Sequence, residues 1–208
     1  MSSMLVKICG VTRADDALAA VDAGASAIGF VFWPDSPRYV DPYRARAIRA
    51  ALPPFVTAVG VFVNQPVEYV SGVASLVRLG AVQLHGDETP QYASLLSAPI
   101  VKALPLTTLG ESDLAAWPDE TMVLLDVHDP VKRGGTGRTI DWDAAATISA
   151  RRRIVLAGGL TPDNVADAVA RVRPFGIDVS SGVEDAPGIK NRDRIRQLFE
   201  ALRGVPRS

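Results

Sequence analysis

Several of the residues best suited to chemistry in this sequence stand two apart. Lys7 and Cys9 lie in "LVKICGVT", Gln83 and His85 in "VQLHGDE", Leu124 and Asp126 in "MVLLDV", Asp178 and Ser180 in "DVSSGVE". Side chains alternate faces along a β-strand, so residues two apart point the same way. Each pair therefore puts a polar group on a face where a purely structural strand would carry Val or Ile. A thiol, an imidazole and carboxylates gathered on such faces could give and take protons. Each residue also has a plainer reading. Cysteine is among the most buried residue types and often only packs. A strand-terminal Asp often caps a turn. His85 could be a satisfied, partly buried histidine, and Arg38 in "SPRYV" a solvated loop cation.

The glycines suggest a second kind of chemistry. "LAGGLTPDN" (156–164) carries Gly158 and Gly159, and "DVSSGVE" (178–184) carries Ser180, Ser181 and Gly182. Glycine lets backbone N–H groups come close to an anion, and a following helix N-terminus adds a favourable dipole. Both stretches could equally be simple turns. A third glycine-rich stretch, "KRGGTG" (132–137), suits either a gate over a site or a surface loop.

These residues need a scaffold that brings distant strand ends together. Short apolar, β-branched runs at 5–9, 27–32, 57–63, 81–85, 99–104, 122–127, 153–157 and 175–180 predict eight strands. Helix-like segments lie between them, among them 14–23, 43–52, 66–79 and 162–172, and a last helix spans 192–203. Thr161 before Pro162 reads as a helix N-cap, and Asn191 could cap the last helix. Near-continuous apolar strands alternating with helices point to a parallel sheet covered on both faces. "CGVTRADD" lacks the G-x-G-x-x-G fingerprint that would favour an open dinucleotide-binding sheet. Eight units in 208 residues fit the compact end of the closed (β/α)8 (TIM) barrel, an α/β fold. We expect one barrel domain over residues 1–208. In such barrels the strand C-termini carry the active site, and the loops after strands seven and eight commonly bind phosphate.

Composition narrows the function classes. A formal net charge of −1 offers no field for nucleic acid or acidic membranes. The arginine runs at 151–153 and 171–173 lack interleaved aromatics and read as solvated ends. One cysteine excludes an internal disulfide, and with only His85 and His128 it argues against structural zinc. No apolar run approaches the ~20 residues of a membrane helix, and no signal-peptide pattern opens the chain. The expectation is a cytoplasmic enzyme, a monomer or homodimer, without metal or organic cofactor.

In order along nearly the whole chain, the blocks "KICGVT", "GFVFWPDSPRYV", "VGVFVN", "VQLHGDE", "LLD", "GGTGRTIDW", "LAGGLTPDNV" and "DVSSGVEDAPGIKN" resemble the phosphoribosylanthranilate isomerase family of tryptophan biosynthesis. The resemblance implies an Amadori rearrangement of N-(5′-phosphoribosyl)anthranilate to 1-(o-carboxyphenylamino)-1-deoxyribulose 5-phosphate. It implies Cys9 as general base and Asp126 as general acid. Arg38 would grip the anthranilate carboxylate. Phosphate would sit on Gly158, Gly159, Ser180, Ser181 and Gly182. Lys7, Gln83, His85 and Asp178 would face the substrate, and Lys7 could supply the positive charge that favours a Cys9 thiolate. Arg138 replaces the usual Lys of the family's "GGTG" segment. Two rivals are the histidine-pathway ribotide isomerase, which has a carboxylate in place of Cys9 and two phosphate sites, and a non-catalytic barrel that binds a phosphate ligand. Indole-glycerol-phosphate synthase is weakened by the lack of its Lys-Glu constellation.

Overall fold

The computed structural model describes residues 4–126 and 141–205. Val127, His128, the "KRGGTG" stretch and Arg138 lie outside the described residues. The eight expected strands are β1 (Leu5–Ile8), β2 (Ala27–Val31), β3 (Thr57–Phe62), β4 (Ala81–Leu84), β5 (Ile100–Pro105), β6 (Met122–Asp126), β7 (Ile154–Leu156) and β8 (Gly176–Val179). Each is parallel to its neighbours, and β8 pairs with β1 through Lys7 opposite Asp178, which closes the barrel. The helices are α1 (Ala14–Ala23), α2 (Pro42–Ala50), α3 (Val67–Val77), α4 (Pro90–Ala93), α5 (Glu111–Ala115), α6 (Trp142–Ser149), α7 (Val165–Val172) and α8 (Arg192–Arg203). An unanticipated antiparallel hairpin, β9 (Glu184–Ala186) with β10 (Ile189–Lys190), follows β8.

The strand parity seen in the sequence sorts residues into two cores. Val6, Ile8, Ile28, Phe30, Phe62, Val82, Leu84, Val123 and Leu125 face outward into the layer shared with the helices. The other parity faces the barrel axis: Ala27, Val59 and Ala81 form one small cluster, and Ala103, Leu124, Val155 and Ala157 another. Truncating a wholly buried outward residue such as Leu84 to Ala would cost about 2–5 kcal/mol, through lost burial and the cavity left behind.

Local chemistry sets several helix ends. Asp41 accepts from the backbone N–H of Tyr43 and Arg44 at the start of α2, with Pro42 as its first residue. Asn191 caps α8 through Arg194 N, as expected. The expectation for Thr161 is corrected. Helix α7 begins at Val165, after a turn, because Asn164 turns back and accepts from Thr161 N at 2.8 Å. Among the described residues no helix is long and apolar enough to cross a membrane.

Candidate active site

The axis-facing parity of β1, β4, β6 and β8 carries Lys7, Gln83, Asp126 and Asp178, all buried. Lys7 Nζ lies 2.8 Å from Asp178 Oδ2, matching their pairing across the closing seam. Removing one partner of so buried a pair would strand the other charge, at a cost of about 3–5 kcal/mol. Lys7 is held on Asp178, which lines the cavity at the strand C-termini.

Cys9 stands one residue past β1, where its backbone N–H still donates to Val179 O at 2.9 Å. Its thiol packs with Val31, Val61 and the partly buried Trp33. A side chain at Gly29 would come within 2.8 Å of Cys9 Sγ and 3.0 Å of Lys7 Cε, so both groups use the space glycine leaves. Burial pushes the Cys9 thiol up; Lys7 and Lys190 pull it down, and Asp178 adds to the rise. The net direction is upward. Lys7 does place positive charge beside the sulfur, but that charge is shared with Asp178 and does not outweigh desolvation.

Two residues past β4's first polar position, His85 reaches across the barrel mouth. Its Nε2 lies 3.3 Å from Asp126 Oδ2, and its Nδ1 2.9 Å from Gln83 Nε2. The loop behind it is fixed by Glu88, which accepts from Asn64 N at 2.7 Å, Gly86 N at 2.8 Å and Lys102 Nζ at 3.0 Å. Glu88 and Lys102 are both buried, and neither stands out in the sequence, because their pairing joins two different strand ends.

The glycine-rich loops after β7 and β8 meet at one wall. Gly158 and Gly159 have φ of 86° and 65°, a region other residues enter at a cost. Asn164 braces this turn from behind, donating to Gly159 O at 2.9 Å as well as accepting from Thr161 N. Gly182 is required by close approach, since any Cβ there would collide with the Leu160 carbonyl oxygen. The Ser180 hydroxyl donates to Cys9 O at 3.1 Å, tying this wall to the cysteine. The expected contribution of a helix N-terminus after Gly159 is corrected, since α7 starts five residues beyond Leu160.

The guanidinium of Arg38 makes a fork with Glu184, two residues past Gly182, so Arg38 is no solvated loop cation. Cys9, Arg38, Gln83, His85, Asp126, Gly158, Gly159, Asp178, Ser180 and Ser181 all line one cavity of about 530 Å³ at the strand C-termini. Gly182 stands just behind it. A second space of about 630 Å³ lies outside the barrel, beside α1 and the hairpin. Several of its charges already pair with one another, Arg13 with Asp16 and Arg192 with Asp15. The inner cavity brings together a thiol and a carboxyl suited to proton transfer, a guanidinium and glycine-rich backbone.

Known proteins are similar to this chain in sequence and fold. The family model for N-(5'phosphoribosyl)anthranilate (PRA) isomerase matches residues 6–201. The chain is 51% identical over 195 residues to the N-(5'-phosphoribosyl)anthranilate isomerase of Trichlorobacter lovleyi, covering 93% of this chain and 95% of that one. The crystal structure of the phosphoribosyl anthranilate isomerase from Thermotoga maritima superposes with a TM-score of 0.89 at 43% identity, covering 98% and 100% of the two chains. A phosphoribosyl anthranilate isomerase in complex with reduced 1-(o-carboxyphenylamino)-1-deoxyribulose 5-phosphate matches with a TM-score of 0.85 at 42% identity, over 98% and 100%.

Proposed function

The chain belongs to the phosphoribosylanthranilate isomerase family, and from that premise we propose that its cavity works with Cys9 as general base and Asp126 as general acid. The reaction itself is the isomerisation of N-(5′-phosphoribosyl)anthranilate in tryptophan biosynthesis. It is internal, so every proton and electron pair must be accounted for within substrate and side chains. Asp126 gives its proton to the ribose ring oxygen as the C1′–O bond breaks, and the anilino nitrogen forms a C1′=N iminium. That cation acidifies C2′–H. Cys9, as thiolate, takes the C2′ proton, and the electron pair moves to C1′=C2′ while the iminium electrons return to nitrogen. Ketone formation then moves a proton onto C1′ from the Cys9 thiol and returns the C2′ hydroxyl proton to Asp126. Both side chains end as they began.

The substrate's two anionic ends suit two kinds of group that line the cavity. Arg38 takes the anthranilate carboxylate, and backbone around Gly158, Gly159, Ser181 and Gly182 takes the phosphate. Among the described residues Gln83 Oε1 and Asp178 Oδ1 are buried acceptors without hydrogen-bond partners, suited to the sugar hydroxyls. No cofactor is called for, because the iminium nitrogen is the substrate's own. We expect a cytoplasmic monomer or homodimer.

What supports this reading most is the one cavity that Cys9 and Asp126 share with Arg38 and the glycine-rich loops. Generating phosphoribosylanthranilate in situ and following the loss of its fluorescence tests it. Turnover by the folded protein is expected; none would overturn the assignment and favour a barrel that only binds a phosphate ligand.

A further inference from the structure

The carboxylate end of the cavity is a network of three charges, of which only Arg38 has a role in the reading above. Arg38 Nε lies 3.0 and 3.1 Å from the two Glu184 oxygens, and Arg38 Nη2 lies 2.7 Å from Oε2. Glu184 Oε1 also accepts from Lys190 Nζ at 2.7 Å and from Gly188 N at 3.1 Å. Lys190 further donates to the carbonyl of Ser180 at 3.2 Å. The Glu184 and Lys190 side chains are 4% and 0% exposed, and neither residue lines the cavity. From the other side Gly10 confines the arginine: with φ of 72°, any Cβ there would stand 2.5 Å from Arg38 Cδ.

A guanidinium presents five N–H donors in a rigid plane, so the edge one partner takes decides which edge remains. Glu184 takes the Nε and Nη2 side. Among the described residues Nη1 donates to nothing, which leaves the end formed by Nη1 and Nη2 for an incoming anion. An unheld arginine would instead spread over many rotamers, and the ligand would have to order it on binding.

We propose that Glu184 is the positioning residue for Arg38, aiming its free edge at the anthranilate carboxylate, with the hairpin residue Lys190 anchoring Glu184 from behind. The proposal rests on the reading of Arg38 as the carboxylate-binding group. Glu184 touches no substrate atom and acts only through the arginine. Its effect should therefore fall on substrate binding and require the carboxylate. The proton-transfer step should be spared.

Glu184→Asp keeps the charge and withdraws the carboxylate by one methylene. It is to be assayed with phosphoribosylanthranilate and with the N-(5′-phosphoribosyl)aniline analogue, which lacks the carboxylate. KM for the natural substrate should rise roughly tenfold with kcat held within about threefold, and neither should move with the analogue. Added to Arg38→Ala, Glu184→Asp should change KM by no more than about twofold, since the group it positions is gone. Arg38→Ala with a wild-type KM overturns the reading of Arg38 and takes the proposal with it. A raised KM in Arg38→Ala and none in Glu184→Asp overturns the proposal alone, as do equal losses on both substrates. If Glu184→Asp does not fold, the isosteric Glu184→Gln, which keeps a single acceptor, is expected to show the same split. Failure of both to fold beside a folded Arg38→Ala would show that Glu184 serves only the scaffold.

Discussion

His85 sits between Gln83 and Asp126, its Nδ1 2.9 Å from Gln83 Nε2 and its Nε2 3.3 Å from Asp126 Oδ2. With the Gln83 amide nitrogen as donor to Nδ1, the ring proton is expected on Nε2, directed at Asp126. That contact holds the Asp126 carboxyl in place at the barrel mouth. His85→Ala is expected to lower kcat about 10–100-fold, on the scale of an orienting partner's loss. Nitrogen NMR of His85 should report the Nε2–H tautomer in the wild type and a mixture in Gln83→Leu. A wild-type Nδ1–H tautomer would reverse the proposed direction of this hydrogen bond.

Cys9→Ala and Asp126→Asn each remove one end of the proton path and leave the anion sites intact. Turnover should fall by about three orders of magnitude or more in each, while titration of a bound product analogue shows affinity within a few-fold of wild type. Near-normal activity in Cys9→Ala would remove its role as base even if the enzyme class stood.

Desolvation outweighs the pull of Lys7 and Lys190 and pushes the Cys9 thiol up, so the thiolate used in the proposed mechanism is the disfavoured form in the free site. Iodoacetamide should alkylate Cys9 slowly at neutral pH, and faster only as pH rises past the ordinary thiol value of about 8.5. Lys7→Met deletes one of the two groups holding the thiol down, so the midpoint of that rise should move further up. A midpoint that stays put would mean the ammonium does not bias the sulfur.

Glu184 carries a pH dependence of stability with a definite sign. Burial alone would raise its carboxyl, but the Arg38 fork and Lys190 together hold it below the ordinary range. A depressed acid stabilises the fold above its unfolded value, about 4.3, and loses that contribution as pH falls through the lower folded value. Glu184→Gln should be less stable than wild type by about 3–5 kcal/mol at pH 7, as for a broken buried pair. Urea unfolding at stepwise lower pH should show the two proteins converging. A constant gap down to pH 2 would locate the stabilisation elsewhere.

What could be read in the sequence followed from local periodicity. Lys7, Gln83, Asp126 and Asp178 were legible because alternate residues share a face and apolar neighbours stood around them. Helix α1 and the Asn191 cap were legible for the same local reason. The start of α7 was not, because Asn164 spends its side chain on the Gly159–Thr161 turn, which pattern alone does not distinguish from a helix. Glu184, Lys190, Glu88 and Lys102 were missed. Their partners are long-range in space or belong to a hairpin too short for a periodic signal, and a charged residue in a loop ordinarily reads as solvated. The balance of charge around Cys9 was only half legible: Lys7 could be named, but burial and the competing claim of Asp178 arise only when β1 meets β8.

The alternation along each barrel strand has a practical corollary. In β4 and the residue after it, Val82 and Leu84 belong to the outer layer while Gln83 and His85 serve the mouth. Two messages are interleaved letter by letter on the same short stretch, one about persistence and one about reactivity. A saturation library through 82–85 should separate them: defects at 82 and 84 would register as lost soluble protein, those at 83 and 85 as well-folded but idle protein. The ring closure keeps the two from being confused during folding, because a one-residue slip of β4 would have to be accepted by both β3 and β5 at once.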